Sequence, residues 1–172
     1  TKYFDRAEGY RASGTANDEW QIARGGFKAE KDRLTVQGDF YQGDVGQRTT
    51  IFSLSPPGSS IIDKPVYVQG ANLMGKYQDD DWSLQGYWDM TDRDLQILSE
   101  QRNTFDLEYN RKHQLGAAQE LNWGLGYRLH LEDIRPTPAA GISTPTGADQ
   151  IFSLFVQDEI KMMDDKFKFI MG

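Results

Sequence analysis

The chain has 172 residues and a mass of 19.6 kDa, with 19 Lys and Arg against 26 Asp and Glu, a net charge of -7. An acidic chain of this kind is not expected to bind nucleic acid, since that binding depends on Lys and Arg that neutralise phosphates. The absence of cysteine excludes disulfide scaffolds, zinc fingers, iron–sulfur sites and thiol catalysis. No apolar run approaches the ~20 residues of a membrane-spanning helix. Residues 1–11 do not have the apolar core of a signal peptide.

Apolar residues recur at every second position along much of the chain, most strictly in residues 33–43, 82–92 and 120–131. Successive side chains of a strand point to opposite faces of a sheet, so this period predicts β-structure. The pattern predicts nine strands, at residues 3–12, 19–29, 33–43, 69–78, 82–92, 102–111, 118–131, 150–161 and 166–172. The predicted fold class is therefore all-β, an antiparallel up-and-down meander.

The predicted connections alternate between short and long from the second strand onward. The short ones are polar and suit tight hairpins, at residues 30–32, 78–81, 112–117 and 162–165. The long ones cover residues 44–68, 93–101 and 132–149. Alternate connections of a meander lie at opposite ends of the sheet, so we expect tight turns at one end and long loops at the other.

Strands of this length indicate part of a transmembrane β-barrel, about nine strands of a larger one. Ten to twelve residues extend over ~33–40 Å and, tilted by ~40°, span an apolar band of ~25 Å. Soluble strands typically have about 5–6 residues. We expect aromatic girdles on the outer face, with Phe27, Tyr77, Trp82, Tyr109, Trp123 and Phe167 toward the tight turns and Phe40 and Phe152 toward the loops.

The alternative is a soluble β-barrel or β-sandwich that binds a ligand, because such modules alternate in the same way. The two interpretations differ in the environment of one set of apolar side chains. In a membrane barrel these residues lie on the outer face, and in a soluble module they pack inside a closed core: Leu84, Trp88, Leu121, Leu125 and Leu129.

No pattern of catalytic or metal-binding residues is found, so we expect neither enzyme activity nor a cofactor. His113 and His130 are the only histidines and have no metal-ligand spacing. Residues 79–81 are three aspartates, but the Gly and Glu of a calcium-binding EF-hand loop are missing, which favours a hairpin turn.

Candidate substrate-binding residues follow from the predicted topology. The strands at 33–43, 82–92 and 118–131 run toward the long loops, and their lumen-facing residues near that end are Tyr41, Asp89, Thr91, Arg128 and His130. The predicted loop 44–68 adds Arg48, Phe52 and Tyr67. Arginine and aromatic side chains at a concave mouth suit an anionic, aromatic metal chelate. Alternatively, Arg128 balances a lumen carboxylate such as that of Asp89.

Four segments resemble the barrel of TonB-dependent outer-membrane receptors. They are LTVQGDFYQGDVGQR (34–48), SEQRNTFDLEYNRKHQLG (99–116), LNWGLGYRL (121–129) and IFSLFVQDEI (151–160). The most specific piece is FVQDEI followed by a short turn that contains aspartate. The resemblance extends over nearly the whole chain.

The resemblance implies a 22-stranded barrel that is plugged by an N-terminal domain and lies in the bacterial outer membrane. Such receptors import scarce nutrients, of which ferric siderophores are the commonest, with energy from the TonB complex. Residues 1–172 match the barrel domain alone, and no plug domain or TonB box is recognised in them. Transport and TonB contact then require regions outside this sequence, and the expected partners here are outer-membrane lipid and the nutrient chelate. In isolation we expect the chain to self-associate, because open sheet edges and an apolar stripe would face water.

Overall fold

A computed structural model describes residues 2–6, 20–52, 56, 58–95, 97–136, 146–162 and 166–172. Within these ranges the ordered elements are nine strands. They are β1 (Lys2–Arg6), β2 (Trp20–Lys31), β3 (Leu34–Phe52), β4 (Ser59–Gln78), β5 (Trp82–Asp94), β6 (Leu98–Gln114), β7 (Gln119–Pro136), β8 (Thr146–Met162) and β9 (Phe167–Met171). No helix in the described ranges is long and apolar enough to cross a membrane.

The nine strands form one sheet in sequence order, and each strand pairs antiparallel with the next. This confirms the predicted all-β up-and-down meander. Over the described residues β1 and β9 do not pair with each other, so the sheet is open. Of the first predicted strand, residues 7–12 lie outside the described residues.

The predicted long loops are wrong in extent, because the strands continue into them. β3 runs on to Phe52 and β4 begins at Ser59, so most of the predicted loop 44–68 is paired hairpin. Residues 48–52 and 59–68 are rich in Thr, Ile, Val and Tyr, which fit a pleated sheet better than a loop. β5 and β6 are separated by residues 95–97 only. Three tight turns overlap their predicted positions, at residues 32–33, 79–81 and 115–118. Of the fourth, predicted at 162–165, residues 163–165 lie outside the described residues.

An unbroken register gives the sheet two chemically distinct faces. Leu34, Tyr77, Leu84, Tyr109 and Leu125 lie directly opposite one another on successive strands and share one face, called here the apolar face. In β2 to β7 every exposed large apolar side chain of the described strands lies on this face. The apolar face also carries the five residues predicted to share one surface, which are Leu84, Trp88, Leu121, Leu125 and Leu129. The opposite face is called the polar face.

Over the described residues the sheet is a single layer without a hydrophobic core. Val66, 5% exposed, is the one buried hydrophobic side chain among the described residues. The accessible surface is 12270 Å², against roughly 8,600 Å² for a compact protein of this mass. Nothing in the described part of the chain covers the apolar face, and the five predicted residues are not enclosed in a core.

Candidate functional site

The tight turns step steadily across the sheet. One row of directly opposed residues starts at Leu34, the first residue of β3, and passes through Leu84 of β5. Strand β5 begins two residues before Leu84, at Trp82. β7 begins six residues before Leu125 of the same row, at Gln119. β8 ends eight residues beyond Leu154 of that row, at Met162. The turns therefore shift in one direction only, by eight residues over six strands.

This stagger fixes the angle between the strands and the line that joins the turns. Eight residues correspond to about 26 Å along a strand and six strands to about 29 Å across the sheet. The strands are thus tilted by about 42° from the direction that is perpendicular to the line of the turns. Transmembrane barrels have strand tilts of about 35–45°. At this tilt each residue rises by about 2.5 Å above the turn end of its strand.

Aromatic rings follow the line of the turns on the apolar face. Ring centroids are 5.1 Å apart for Tyr77 and Trp82, 6.1 Å for Trp82 and Tyr109, and 5.5 Å for Tyr109 and Trp123. These four rings, called here the aromatic row, each lie within five residues of the turn end of their own strand. Phe27 and Phe167 also lie within five residues of the turn ends of β2 and β9, on the same face. The predicted placement of aromatic residues toward the tight turns is therefore confirmed.

Polar residues bound the apolar face on its other side. More than five residues from the turn ends, the first polar residues on each strand lie eight to fourteen residues from the turn end, about 20–34 Å above it at this tilt. They are Gln42, Gln69, Asp92, Asn103, Asp133 and Gln150. Gln69 donates to Asp92 at 3.0 Å, and the Trp88 indole donates to Asn103 at 3.3 Å. Between this boundary and the turns lies a largely apolar band, called here the apolar band, about 25 Å high. Its lowest ~10 Å also carries His113, Arg111, Gln119 and Asp158, and Gln119 donates to Asp158 at 2.7 Å.

Charged side chains on the polar face are paired with one another across strands. Arg128 donates to Asp106 at 2.6 Å. Arg102 lies 2.7 Å from Glu132 and 2.8 Å from Glu100. These groups are partly exposed, so each pair contributes little stability, typically about 0–1 kcal/mol. Such a face is suited to contact with water rather than with lipid or a hydrophobic core.

The predicted substrate-binding residues do not share one surface. Tyr41, Arg128 and His130 lie on the polar face, whereas Arg48, Phe52 and Tyr67 lie on the apolar-face side of the sheet. Arg48, Phe52 and Tyr67 lie on the other side because residues 44–52 and 59–67 continue as strands. They do not form the loop that was predicted to lie over the mouth of the barrel.

The polar-face candidates have local partners that the sequence did not reveal. The Tyr41 ring covers Gly70 of the neighbouring strand, where a Cβ would come within 2.6 Å of the ring. Arg128 pairs with Asp106 and not with Asp89, whose carboxylate accepts from the Tyr87 hydroxyl at 3.1 Å.

His130 and Thr91 also lie beside residues of neighbouring strands. His130 Nδ1 lies 2.9 Å from Thr104 Oγ1. Thr91 lies on the same polar face, directly opposite Arg102.

The three consecutive aspartates form a hairpin turn, in agreement with the prediction. Arg33 pairs with Asp79 and, at 3.2 Å, with Asp80, while the Asp79 amide donates to the Trp82 carbonyl at 2.8 Å. In the described ranges no group of three His, Cys, Asp or Glu could hold a metal ion.

Two features of the apolar face lie outside the sequence-based candidates. Arg111 is directly opposite both Trp82 and Trp123, between two members of the aromatic row. Next to it a shallow groove of about 440 Å³ is lined by Leu107, Tyr109, Leu125, Tyr127, Phe152 and Leu154 together with Gly126 and Ser153. In the sequence Arg111 directly follows the alternating apolar residues Phe105, Leu107 and Tyr109, which was the available signal.

Comparison with known proteins adds no family to this description, since no family model, curated protein or solved structure matches the chain.

Proposed function

We propose that the chain is part of the transmembrane β-barrel of an outer-membrane TonB-dependent receptor that takes up a scarce nutrient. The observation that carries the proposal is the apolar band, which is about 25 Å high, inclined at about 42° to its strands and edged by the aromatic row. The resemblance of four segments to the receptor barrels gives the family.

Lipid is the environment that suits the apolar face. At a tilt of about 42° each strand spacing measures about 6.5 Å along the line of the turns, so over six spacings a band 25 Å high covers roughly 970 Å². The largest apolar patch on a soluble monomer is about 300–600 Å². Moreover, the side chains at its centre are half exposed, such as Leu125 at 51% and Leu154 at 69%. A bilayer would cover this surface without a second protein layer.

The polar face then lines the inside of the barrel. Its cross-strand ion pairs leave no large excess of charge, which fits a water-filled interior better than a lipid contact. A barrel spans a membrane only when every strand edge is paired. The outer edges of β1 and β9 therefore pair with further strands of the same barrel in this proposal.

The substrate is proposed to meet the part of the β3–β4 hairpin that rises beyond the apolar band. This part, called here the upper hairpin, comprises residues 44–52 and 59–67. Arg48, Phe52 and Tyr67 lie on its outer side, which continues the apolar face beyond the band, and Phe52 is 81% exposed, so this side is proposed to capture the substrate before it enters the barrel. A guanidinium and exposed aromatic rings suit an anionic metal chelate with aromatic groups. A ferric siderophore is the proposed substrate, as the commonest one among receptors of this kind.

A growth experiment tests the transport assignment. A strain with the gene deleted is grown under iron limitation on single ferric siderophores, with a plasmid copy of the gene as control. We expect the deletion to abolish growth on one chelate and the plasmid to restore it. Equal growth with and without the gene on every ferric siderophore would remove this substrate assignment.

A further inference from the structure

Arg111 is a cation in the aromatic row, at the turn end of the apolar face, where His113, Gln119 and Asp158 also lie on that face. It lies on the apolar face, directly opposite Trp82 on one side and Trp123 on the other, and it is exposed. Within the described residues it forms no ion pair, whereas its neighbour Lys112 pairs with Glu120 on the polar face at 3.1 Å. A guanidinium carries five N–H donors, and Arg111 lines a depression together with Trp82, Trp123 and the turn residues Asp80 and Asp81.

The position of Arg111 along its strand matches the depth of lipid headgroups. It lies three residues before the end of β6 at Gln114, about 7 Å above the turn end at the tilt given above. Interfacial Trp and Tyr side chains occupy the headgroup level of membranes. An arginine at this level meets phosphate groups, which accept two parallel hydrogen bonds from a guanidinium.

The neighbouring groove continues from this level into the apolar band. It starts at Tyr109, two residues farther from the turn than Arg111, and ends at Phe152. These positions lie five to ten residues from their turn ends, about 12–25 Å above them. No charged side chain lines the groove. An occupant of both features must carry an anionic group and, within about 7 Å, a flexible aliphatic chain.

We infer that Arg111 and this groove form a binding site for one anionic glycerophospholipid. The phosphate binds the guanidinium between Trp82 and Trp123, and one acyl chain lies in the groove along Leu107 and Leu125. The inference rests on the proposed membrane barrel and adds a specific lipid to it. An anionic headgroup is favoured over a zwitterionic one, because its phosphate carries a net charge that no ammonium group of the same lipid offsets.

Brominated lipids test the site, because bromine quenches the fluorescence of nearby tryptophans such as Trp82 and Trp123. The complete protein is reconstituted in phosphatidylcholine vesicles that contain a small, equal fraction of either dibromo-acyl phosphatidylglycerol or dibromo-acyl phosphatidylcholine. We expect the wild type to prefer phosphatidylglycerol. Arg111→Gln should lower that preference about fivefold, the usual contribution of one basic residue near an anionic surface.

Two further variants test whether the lipid preference comes from paired hydrogen bonds of Arg111 or only from the positive charge of the protein. Arg111→Lys keeps the charge but loses the fork of donors, so part of the preference should remain. Lys76→Gln removes a positive charge on the polar face of β4 and should leave the preference unchanged.

The outcomes distinguish this inference from the proposed function. If both lipids quench and Arg111→Gln keeps the full preference, the lipid site is refuted while the membrane barrel stands. If neither lipid quenches the wild type, the protein is not in the bilayer and both proposals are wrong. If Arg111→Gln instead dissociates a dimer seen by light scattering, the site binds a second copy and not a lipid.

Discussion

Two leucines of equal exposure provide a direct measure of depth in a membrane. Leu34 is 47% exposed and Leu125 is 51% exposed, and both lie on the apolar face in the same row of opposed residues. Because the row is inclined to the line of the turns, they differ in height. Leu34 is the first residue of β3, while Leu125 is six residues into β7, about 15 Å above its turn end.

The substitutions Leu34→Arg and Leu125→Arg should therefore have different costs. On the lipid face of a barrel an arginine costs about 2–4 kcal/mol at the bilayer midplane and about 0–1 kcal/mol near the interface. We expect Leu125→Arg to lower the free energy of unfolding by about 3 kcal/mol, which is more than a hundredfold in the equilibrium constant. Leu34→Arg should lower it by less than about 1 kcal/mol.

Urea unfolding in phosphatidylcholine vesicles, followed by tryptophan fluorescence, measures both values. Gln85→Arg on the polar face is the control for the added charge, since Gln85 lies directly opposite Glu108. Its cost should stay within about 0.5 kcal/mol. Equal costs for Leu34→Arg and Leu125→Arg would refute the reasoning, because solvent exposure alone gives the two sites the same environment.

Three smaller effects follow from contacts within the sheet. Gly70→Ala should destabilise the protein by about 1 kcal/mol, because the new Cβ meets the Tyr41 ring. Gly75→Ala is the control on the same strand: its Cβ meets nothing within 4 Å, so it should be neutral or stabilising. Urea unfolding measures both free energies. Arg128→Gln should cost no more than about 1 kcal/mol in the same assay, since its pair with Asp106 is partly exposed. Arg33→Gln should speed amide exchange in the 79–81 turn, because it removes both of its pairs with that turn.

The fold was largely predictable because its main signal is local. A period of two over ten or more residues identifies strands without any knowledge of what they pack against, as in residues 120–131. The same period assigns Leu125 and Trp123 to one face, and the structure places both there. The tight turns followed from short polar segments, such as the aspartates at 79–81.

The candidate site was less predictable because it depends on register and strand length. The residues of 44–68 were taken as a loop around a mouth, but their pairing as strands sends Arg48 and Tyr41 to opposite faces. Arg128 does pair with a carboxylate of the polar face, as one alternative held. The carboxylate is that of Asp106, directly opposite on β6, and not that of Asp89, which lies two strands away on β5. A one-residue difference in register exchanges the faces, and composition carries no information on it.

In the proposed barrel, one face of the sheet contacts lipid and the other contacts water. The chain has no cysteine, so a single Leu154→Cys or Ser153→Cys variant carries one nitroxide label. These two neighbours in β8 lie on the apolar and the polar face, respectively. In reconstituted vesicles we expect the label at 154 to collide mainly with oxygen, which dissolves in lipid. The label at 153 should collide mainly with a water-soluble nickel chelate. Equal access of the nickel chelate to both labels, or protection of 154 from both reagents, would contradict the membrane barrel.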